Sequence, residues 1–474
     1  MSNEFVYLLP LWSVIFGAIL VLFIEMIFHE KGRDVIPYVS IVFILIALFG
    51  TIRNYIDFLA TKDSVLLFQN TAKIDILTNL FIIGALLSGL LAILYSVQYL
   101  VEHRAITGEY YALILLVVSG MINLIVSNEL ITFFVGLELM SIGSYVLAGY
   151  FRVREKSIEA AMKYYLPGVF STAIILMGIA FIYGIAGNTY FNTIKAILPL
   201  KITTLYSFYF GVLLLLVGLG FKIALVPFHA YAPDVYDGSS APISAFLSTG
   251  VKVAAFAILI RLMGEVFSIS GDWLNIIPIL SILTMFVGNI MAFNQDSIKR
   301  MLAYSSVAHA GYILLAIVTI DKAPLSEVYF SVAFYLIAYT FMTAGAFGLL
   351  GWLSRKEEKL VNYEDLSGIA KKHPWFAVFM AVFMFSLAGF PPTAGFFGKY
   401  YVFRLAIVEG YYGLAILGIL NSFMSAYYYL KVIIYMFMKK EQDFELPEPF
   451  VALRFGILIS VLGTLIIGFV PFYY

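Results

Sequence analysis

The stretch Gly218-Leu219-Gly220-Phe221-Lys222-Ile223-Ala224-Leu225-Val226-Pro227-Phe228-His229 runs on through Ala232-Pro233-Asp234-Val235-Tyr236-Asp237-Gly238 to Val251-Lys252-Val253. It places two lysines inside apolar runs long enough to cross a bilayer. An ammonium near the bilayer centre costs several kcal/mol unless it is paired, hydrated or neutral, so each is a functional candidate. Pro227 removes a backbone donor and clashes with the preceding turn. In hydrocarbon the freed carbonyls need partners, so a break at this depth usually lines a polar cavity. Lysine, break and second lysine together suggest a path for protons or small cations. The plainer reading has both lysines snorkelling to an interface; the mid-span position of Lys252 argues against it.

Working outward, hydrophobic residues make up 62% of the chain and charged residues 12%, far from globular norms. This predicts an all-α polytopic membrane protein, since no polar block is long enough to form a soluble domain. With 29 basic and 29 acidic residues, there is no electrostatic footprint for nucleic acid. The absence of cysteine excludes disulfides, iron–sulfur clusters and thiolate metal sites. The 5 histidines are scattered, which argues against a dedicated metal centre. Any redox chemistry is therefore expected in a partner. The N-terminus enters a span without a basic region or a cleavage signal, so the first helix is expected to remain in the mature protein.

Apolar stretches near span length predict about fourteen helices. Their limits fall near 5–27, 36–53, 75–99, 108–127, 129–151, 158–187, 207–229, 239–264, 272–293, 298–320, 325–353, 374–407, 411–438 and 450–472. Odd-numbered connections carry about sixteen Lys and Arg residues against about eight in the even ones, which places the odd connections in the cytoplasm and both termini outside. The segment from Arg355 to Lys372 is the most charged linker. Lys431 and Lys163 lie close to segment ends and read as interfacial, Lys431 with even claims to a structural role.

Segments 7 and 12 are broken. The first reads Lys222 and then Pro227; the second reads Gly389-Phe390-Pro391-Pro392 and then Lys399, in reversed order. A unit of five helices reverses its sidedness when repeated. This predicts two inverted repeats, helices 4–8 and 9–13, with the transport site at the broken helices. The divisions are 1–107 for helices 1–3, 108–266 and 267–440 for the two repeats, and 441–474 for helix 14.

Glu138 stands alone in the apolar segment 5, within Phe133-Phe134-Val135-Gly136-Leu137-Glu138-Leu139-Met140-Ser141-Ile142-Gly143-Ser144-Tyr145. It is expected to pair with Lys222 and to set whether that amine is charged; bonding to backbone or water alone is the alternative. Segment 10 contains Lys299-Arg300-Met301-Leu302-Ala303-Tyr304-Ser305-Ser306-Val307-Ala308-His309. His309 is well suited to relay protons between the lysines, with Tyr304, Ser305 and Ser306 holding water beside it. Lys299 and Arg300 read as interfacial anchors, Asp234 and Asp237 as capping or loop-ordering residues, and Asp75 and Glu25 as structural.

These residues carry a resemblance. Pro227-Phe228-His229 through Ala232-Pro233-Asp234-Val235-Tyr236-Asp237-Gly238, and Ala241-Pro242 to Ala245-Phe246-Leu247-Ser248-Thr249, resemble the signature of the antiporter-like subunits of respiratory complex I. Lys299 to Ser306 with His309 and Gly311-Tyr312 fits the same superfamily pattern. Gly136-Leu137-Glu138-Leu139 and Gly389-Phe390-Pro391-Pro392-Thr393-Ala394-Gly395-Phe396-Phe397-Gly398-Lys399 resemble the subunit N branch most closely. The resemblance covers nearly the whole chain. Subunit M carries glutamate where Lys399 stands. Subunit L carries a long C-terminal extension, whereas this sequence stops at Tyr474.

The resemblance implies a proton-pumping subunit of NADH:quinone oxidoreductase. It implies a relay of Glu138, Lys222, Lys252, His309 and Lys399. It further implies an inner (plasma) membrane location beside antiporter-like subunit M and small subunits such as K and J. No cofactor is expected in this chain; NAD, FMN, Fe–S clusters and quinone belong to partner subunits. Membrane lipid and protons are its other expected contacts. A proton is expected to enter near Lys222, pass Lys252 and His309, and leave from Lys399. The alternatives are a Na⁺/H⁺ antiporter subunit of the Mrp type or the membrane arm of a hydrogenase. A stand-alone transporter is weaker, and a pure scaffold would need no mid-membrane charges.

Overall fold

In a bilayer each backbone N–H and C=O must be satisfied within its own segment, and this chain meets that demand with helices. The computed structural model describes residues 2–61, 64–197, 205–267, 275–353, 362–440 and 446–469. Among the described residues, twelve helices are long and apolar enough to cross a membrane. Besides the short helices Ser2–Tyr7 and Phe191–Ile197, the helices in chain order are α1 (Leu9–Phe28), α2 (Ile36–Thr61), α3 (Ile76–Glu102), α4 (Gly108–Val126), α5 (Leu130–Ala148), α6 (Glu155–Ala186), α7 (Leu205–Lys222), α8 (Ala232–Gly238), α9 (Ala241–Arg261), α10 (Ile276–Phe293), α11 (Ile298–Val318), α12 (Leu325–Leu353), α13 (Pro374–Ala388), α14 (Ala394–Val408), α15 (Tyr412–Met438) and α16 (Val451–Phe469). The chain is an all-α polytopic membrane protein. One element was not anticipated: a small antiparallel hairpin between α2 and α3, pairing Val65 with Ile74 and Leu67 with Ala72. Lys62, Lys201, Arg355, Lys356 and Lys359, which entered the orientation count, lie outside the described residues.

Burial ranks the helices. The α9 segment, with its π-helical extension to Val266, and α11 are buried along their whole apolar windows, and α12 nearly so; α1 is only 28% buried. The helices bearing Lys252 and His309 are therefore the centre of the bundle. The peripheral helices turn large apolar side chains outward, such as Phe16 and Phe23 on α1 and Ile142 and Val146 on α5. An apolar exterior of this kind is matched to lipid tails or neighbouring membrane helices. Asp75 caps α3 by accepting the Thr78 N–H at 2.8 Å, and Glu25 bonds Arg33 at 3.0 Å. Both are structural, as expected.

The two interruptions hold the lysines. α7 ends at Lys222, well before the predicted limit at residue 229. Pro227 is not what ends it. Ala224 adopts φ 58°, and the Leu225 and Ala224 N–H groups bond back to the carbonyls of Gly220 (2.8 Å) and Phe221 (3.1 Å). This is a Schellman turn, which closes a helix by consuming its orphan carbonyls; Pro227 then keeps the chain from resuming the helix. The second interruption ends α13 at Ala388, with Gly389 at φ 91° as its cap. Its N–H and that of Phe390 both bond the Phe385 carbonyl at 3.0 Å. α14 then restarts at Ala394 and carries Lys399. Both breaks contain a cis X–Pro bond, at Val226-Pro227 and Pro391-Pro392.

Candidate functional site

Lys222 is the last residue of α7, and its side chain is buried. Its amine donates to Ser141 Oγ at 2.7 Å and to the Tyr145 hydroxyl at 2.8 Å. Both partners belong to α5, where Glu138, Ser141 and Tyr145 follow one another at intervals of three and four residues. That spacing lines them along one helix face. The direct Glu138–Lys222 pair expected from the sequence is not made. The carboxylate instead accepts a hydrogen bond from Thr172 Oγ1 on α6, at 2.8 Å. Glu138 is only half-buried, beside the outward-facing Val135 and Ile142. The Ser141 hydroxyl gives its own proton to the Leu137 carbonyl at 2.6 Å, so its oxygen is free to accept from the amine. The spacing of 138, 141 and 145 was legible in the sequence, but the role of α6 was not.

Lys252, at the middle of α9, donates to Ser306 of α11 through both the side-chain oxygen, at 2.6 Å, and the backbone carbonyl. A buried lysine needs such partners, because leaving the cation unpaired in a low-dielectric interior costs several kcal/mol. Ser305, next in sequence, is hydrogen-bonded to the Tyr429 hydroxyl of α15. The same hydroxyl bonds His309 Nε2 at 3.1 Å, while Nδ1 bonds Tyr335 of α12 at 2.8 Å. His309 therefore lies between two tyrosines. Ser305 reaches the histidine through Tyr429, a residue not singled out from the sequence, whereas Ser306 bonds Lys252. Among the described residues, no direct hydrogen bond joins Ser141 or Tyr145 to Lys252 or Ser306.

Lys399 projects back across the second break. Its amine donates to the carbonyls of Leu387 (3.0 Å) and Ala388 (2.9 Å), the last residues of α13, and to Ser422 Oγ of α15 (2.8 Å). A cation at a helix C-terminus meets both the unpaired carbonyls and the negative end of the helix dipole. The Tyr312 ring lies 5.2 Å from the amine and 5.7 Å from the His309 ring. It therefore stands between the histidine and the last lysine. A mainly apolar cleft of about 580 Å³ reaches Lys399 from the side, walled by Phe396, Tyr400, Phe403 and Phe423.

The charged residues flanking the first break form a cluster that the sequence reading under-weighed. Asp234 on α8 pairs with Arg300 of α11 at 2.6 Å and with Lys163 of α6 at 2.7 Å. Burial pushes its carboxyl up, but hydrogen bonds from Lys163 and Arg300 outweigh that and hold it below the usual carboxylate range. Asp237 accepts from Ser297 at 2.8 Å. Lys299 is not an interfacial anchor. It is buried, and its amine binds the Asp237 and Ser239 carbonyls at 2.9 and 2.7 Å, closing the end of α8. Arg300 is partly exposed and ties α11 to α8 through Asp234. Lys431 rests 4.0 Å over the Tyr363 ring.

Comparison with known proteins identifies the family of the chain. The family described as NADH:quinone oxidoreductase/Mrp antiporter, transmembrane, matches residues 127–425, a stretch that includes all five candidate residues. NADH-quinone oxidoreductase subunit N of Trichlorobacter lovleyi is 40% identical over 453 residues, covering 95% of this chain and 91% of that protein. A chain of respiratory complex I from Thermus thermophilus superposes with a TM-score of 0.82 at 32% identity, covering 98% of this chain and 97% of that one. A chain of the Mrp complex from a Dietzia species reaches a TM-score of 0.84 at 21% identity, covering 99% and 95%, a likeness of fold alone. The chain belongs to the NADH-quinone oxidoreductase subunit N family, within the wider antiporter-like superfamily.

Proposed function

We propose that this chain translocates protons in the membrane arm of an NADH:quinone oxidoreductase, driven by quinone reduction in other subunits. The observation that carries the reading is the buried row Lys252–Ser306, Ser305–Tyr429–His309, continued past Tyr312 to Lys399. Hydroxyl and imidazole groups both donate and accept, so each hydrogen-bonded stretch of the row can pass a proton, and water completes the steps from Ser306 to Ser305 and from His309 past Tyr312 to Lys399. A proton enters from the cytoplasm at Lys222, crosses to Lys252 through water, moves along the row and leaves from Lys399. Glu138 tunes Lys222 by moving toward or away from its amine. The half-buried position of Glu138, where the face of α5 that meets Lys222 borders its outward face, suits a residue that responds to a neighbouring subunit. The polypeptide transfers no electrons; its partners carry NAD, FMN, Fe–S clusters and quinone.

On this reading α7 with the turn after it, to residue 229, and the interrupted pair α13–α14 count as spans 7 and 12, giving about fourteen in all, with α8 in the cytoplasmic connection. The lysine-and-break order, reversed between them, supports inverted repeats over 108–266 and 267–440, flanked by 1–107 and 441–474. Both termini face outward from the inner membrane, and subunit M and small subunits such as K and J are the neighbours. The sequence identity to subunit N proteins favours this reading over a Na⁺/H⁺ antiporter or hydrogenase subunit, since the likeness to the Mrp complex is one of fold. The test is NADH-driven proton uptake into vesicles bearing the intact complex with His309→Ala. Uptake falls while the complex assembles; normal uptake at normal electron-transfer rate removes the relay.

A further inference from the structure

We infer that Thr172 is a positioning residue that parks the Glu138 carboxylate away from Lys222, so that α6 sets the balance between the separated and paired states. The inference rests on the proton-relay reading above and adds the device that controls its first step. Thr172 Oγ1 has one proton and two acceptors within reach: Glu138 Oε1 at 2.8 Å and the Gly168 carbonyl at 3.2 Å. The shorter contact goes to the carboxylate, and a bond to an ionised acceptor is the stronger of the two. Next to it, Ser171 Oγ donates to the Gly218 carbonyl at 2.9 Å, one turn before Lys222 on α7. Adjacent residues of α6 thus hold the helix of the lysine and the carboxylate of the glutamate.

The released state is close at hand. Glu138 lies one turn from Ser141 on the same face of α5, and Ser141 already touches the Lys222 amine. Side chains three apart on a helix are neighbours, so a change of Glu138 rotamer carries its carboxylate toward the amine with no backbone movement. Attraction to the ammonium favours that rotamer; the Thr172 hydroxyl opposes it. Removing one hydrogen bond to a carboxylate shifts such a two-state balance by about tenfold or more. The geometry therefore makes Thr172 the group whose loss leaves Glu138 closed on Lys222.

The experiment compares NADH-driven proton uptake by vesicles of the intact complex carrying Thr172→Val, Thr172→Ser and Glu138→Gln, at matched assembly. Valine keeps the shape of threonine without the hydroxyl, and serine keeps the hydroxyl without the methyl. Uptake is expected to fall about tenfold in the valine variant and to be restored toward the native rate in the serine variant. Thr172→Ala, which adds no bulk, is carried alongside so that an assembly defect in the valine variant leaves the comparison intact. Equal losses in the valine and serine variants overturn the inference, because the methyl group and packing then matter and the hydroxyl does not. Normal uptake in the valine and alanine variants with a deficient Glu138→Gln overturns the latch and leaves the relay standing. Normal uptake in Glu138→Gln as well removes both.

Discussion

The amine of Lys399 donates to the backbone carbonyl of Ala388 at 2.9 Å, so a lysine on one half of a broken helix caps the end of the other half. The turn between them depends on Gly389. Its φ of 91° is strained for any side chain, and a methyl group there would come 3.0 Å from Lys399 Cδ and 3.3 Å from its amine. Gly389→Ala is predicted to cost about 1–2 kcal/mol in stability from the backbone conformation alone. It should also displace the amine from the α13 carbonyls. Thermal unfolding of the purified complex checks the first effect and proton uptake the second.

Gly168 of α6 provides the space for the hydroxyl that receives Lys222. A methyl group at this position would stand 2.2 Å from the Tyr145 oxygen and 2.6 Å from the adjoining ring carbon. Gly168→Ala is predicted to cost about 1–3 kcal/mol by overpacking and to lower proton uptake by moving Tyr145 off the amine. Adding Tyr145→Phe relieves part of the clash, because the hydroxyl is the nearest atom. The double variant should therefore recover stability without recovering uptake, as a melting curve and an uptake assay on the same preparation would reveal.

The cluster around Asp234 has a defined pH signature. Its carboxyl is held below the usual range in the folded chain, with Lys163 and Arg300 outweighing burial. A depressed folded-state value contributes stability above the unfolded value of about 4, and the contribution is lost as pH falls through the folded value. Asp234→Asn should therefore lower stability by about 1 kcal/mol near neutral pH, a modest figure because these partly exposed groups are screened by solvent. Parent and variant should begin to converge below about pH 4 and meet once the pH has passed through the lower folded-state value. Melting temperatures measured across pH provide the check.

Most of the fold was legible because hydrocarbon leaves the backbone few choices: apolar length predicted the helices, and the fully buried α9 and α11 are the ones whose lysine and histidine drew notice. The break after Lys222 was found through Pro227 but misplaced, since Ala224 ends the helix from a left-handed conformation more usual for glycine. The site residues were named from their charge in an apolar context. What was not legible is which neutral groups they touch. Glu138 met Thr172 and not Lys222, because contacts between helices depend on packing angle and rotamer, which no single segment encodes. Tyr429 and Tyr335 are two of 33 tyrosines, and only their convergence on His309 distinguishes them.

The central claim is that buried amines carry the proton, and Lys252 is the amine bonded to Ser306, the sequence neighbour of the serine that begins the Ser305–Tyr429–His309 row. The most direct measurement is NADH-driven proton uptake by vesicles containing the intact complex with Lys252→Ala, set against the native complex at matched assembly. The account predicts a fall of at least about tenfold, by analogy with the loss of other positioned proton-transfer groups, with coupled electron transfer slowing alongside it. Normal proton uptake at a normal rate of quinone reduction would contradict it and leave Lys252 as a buried structural charge.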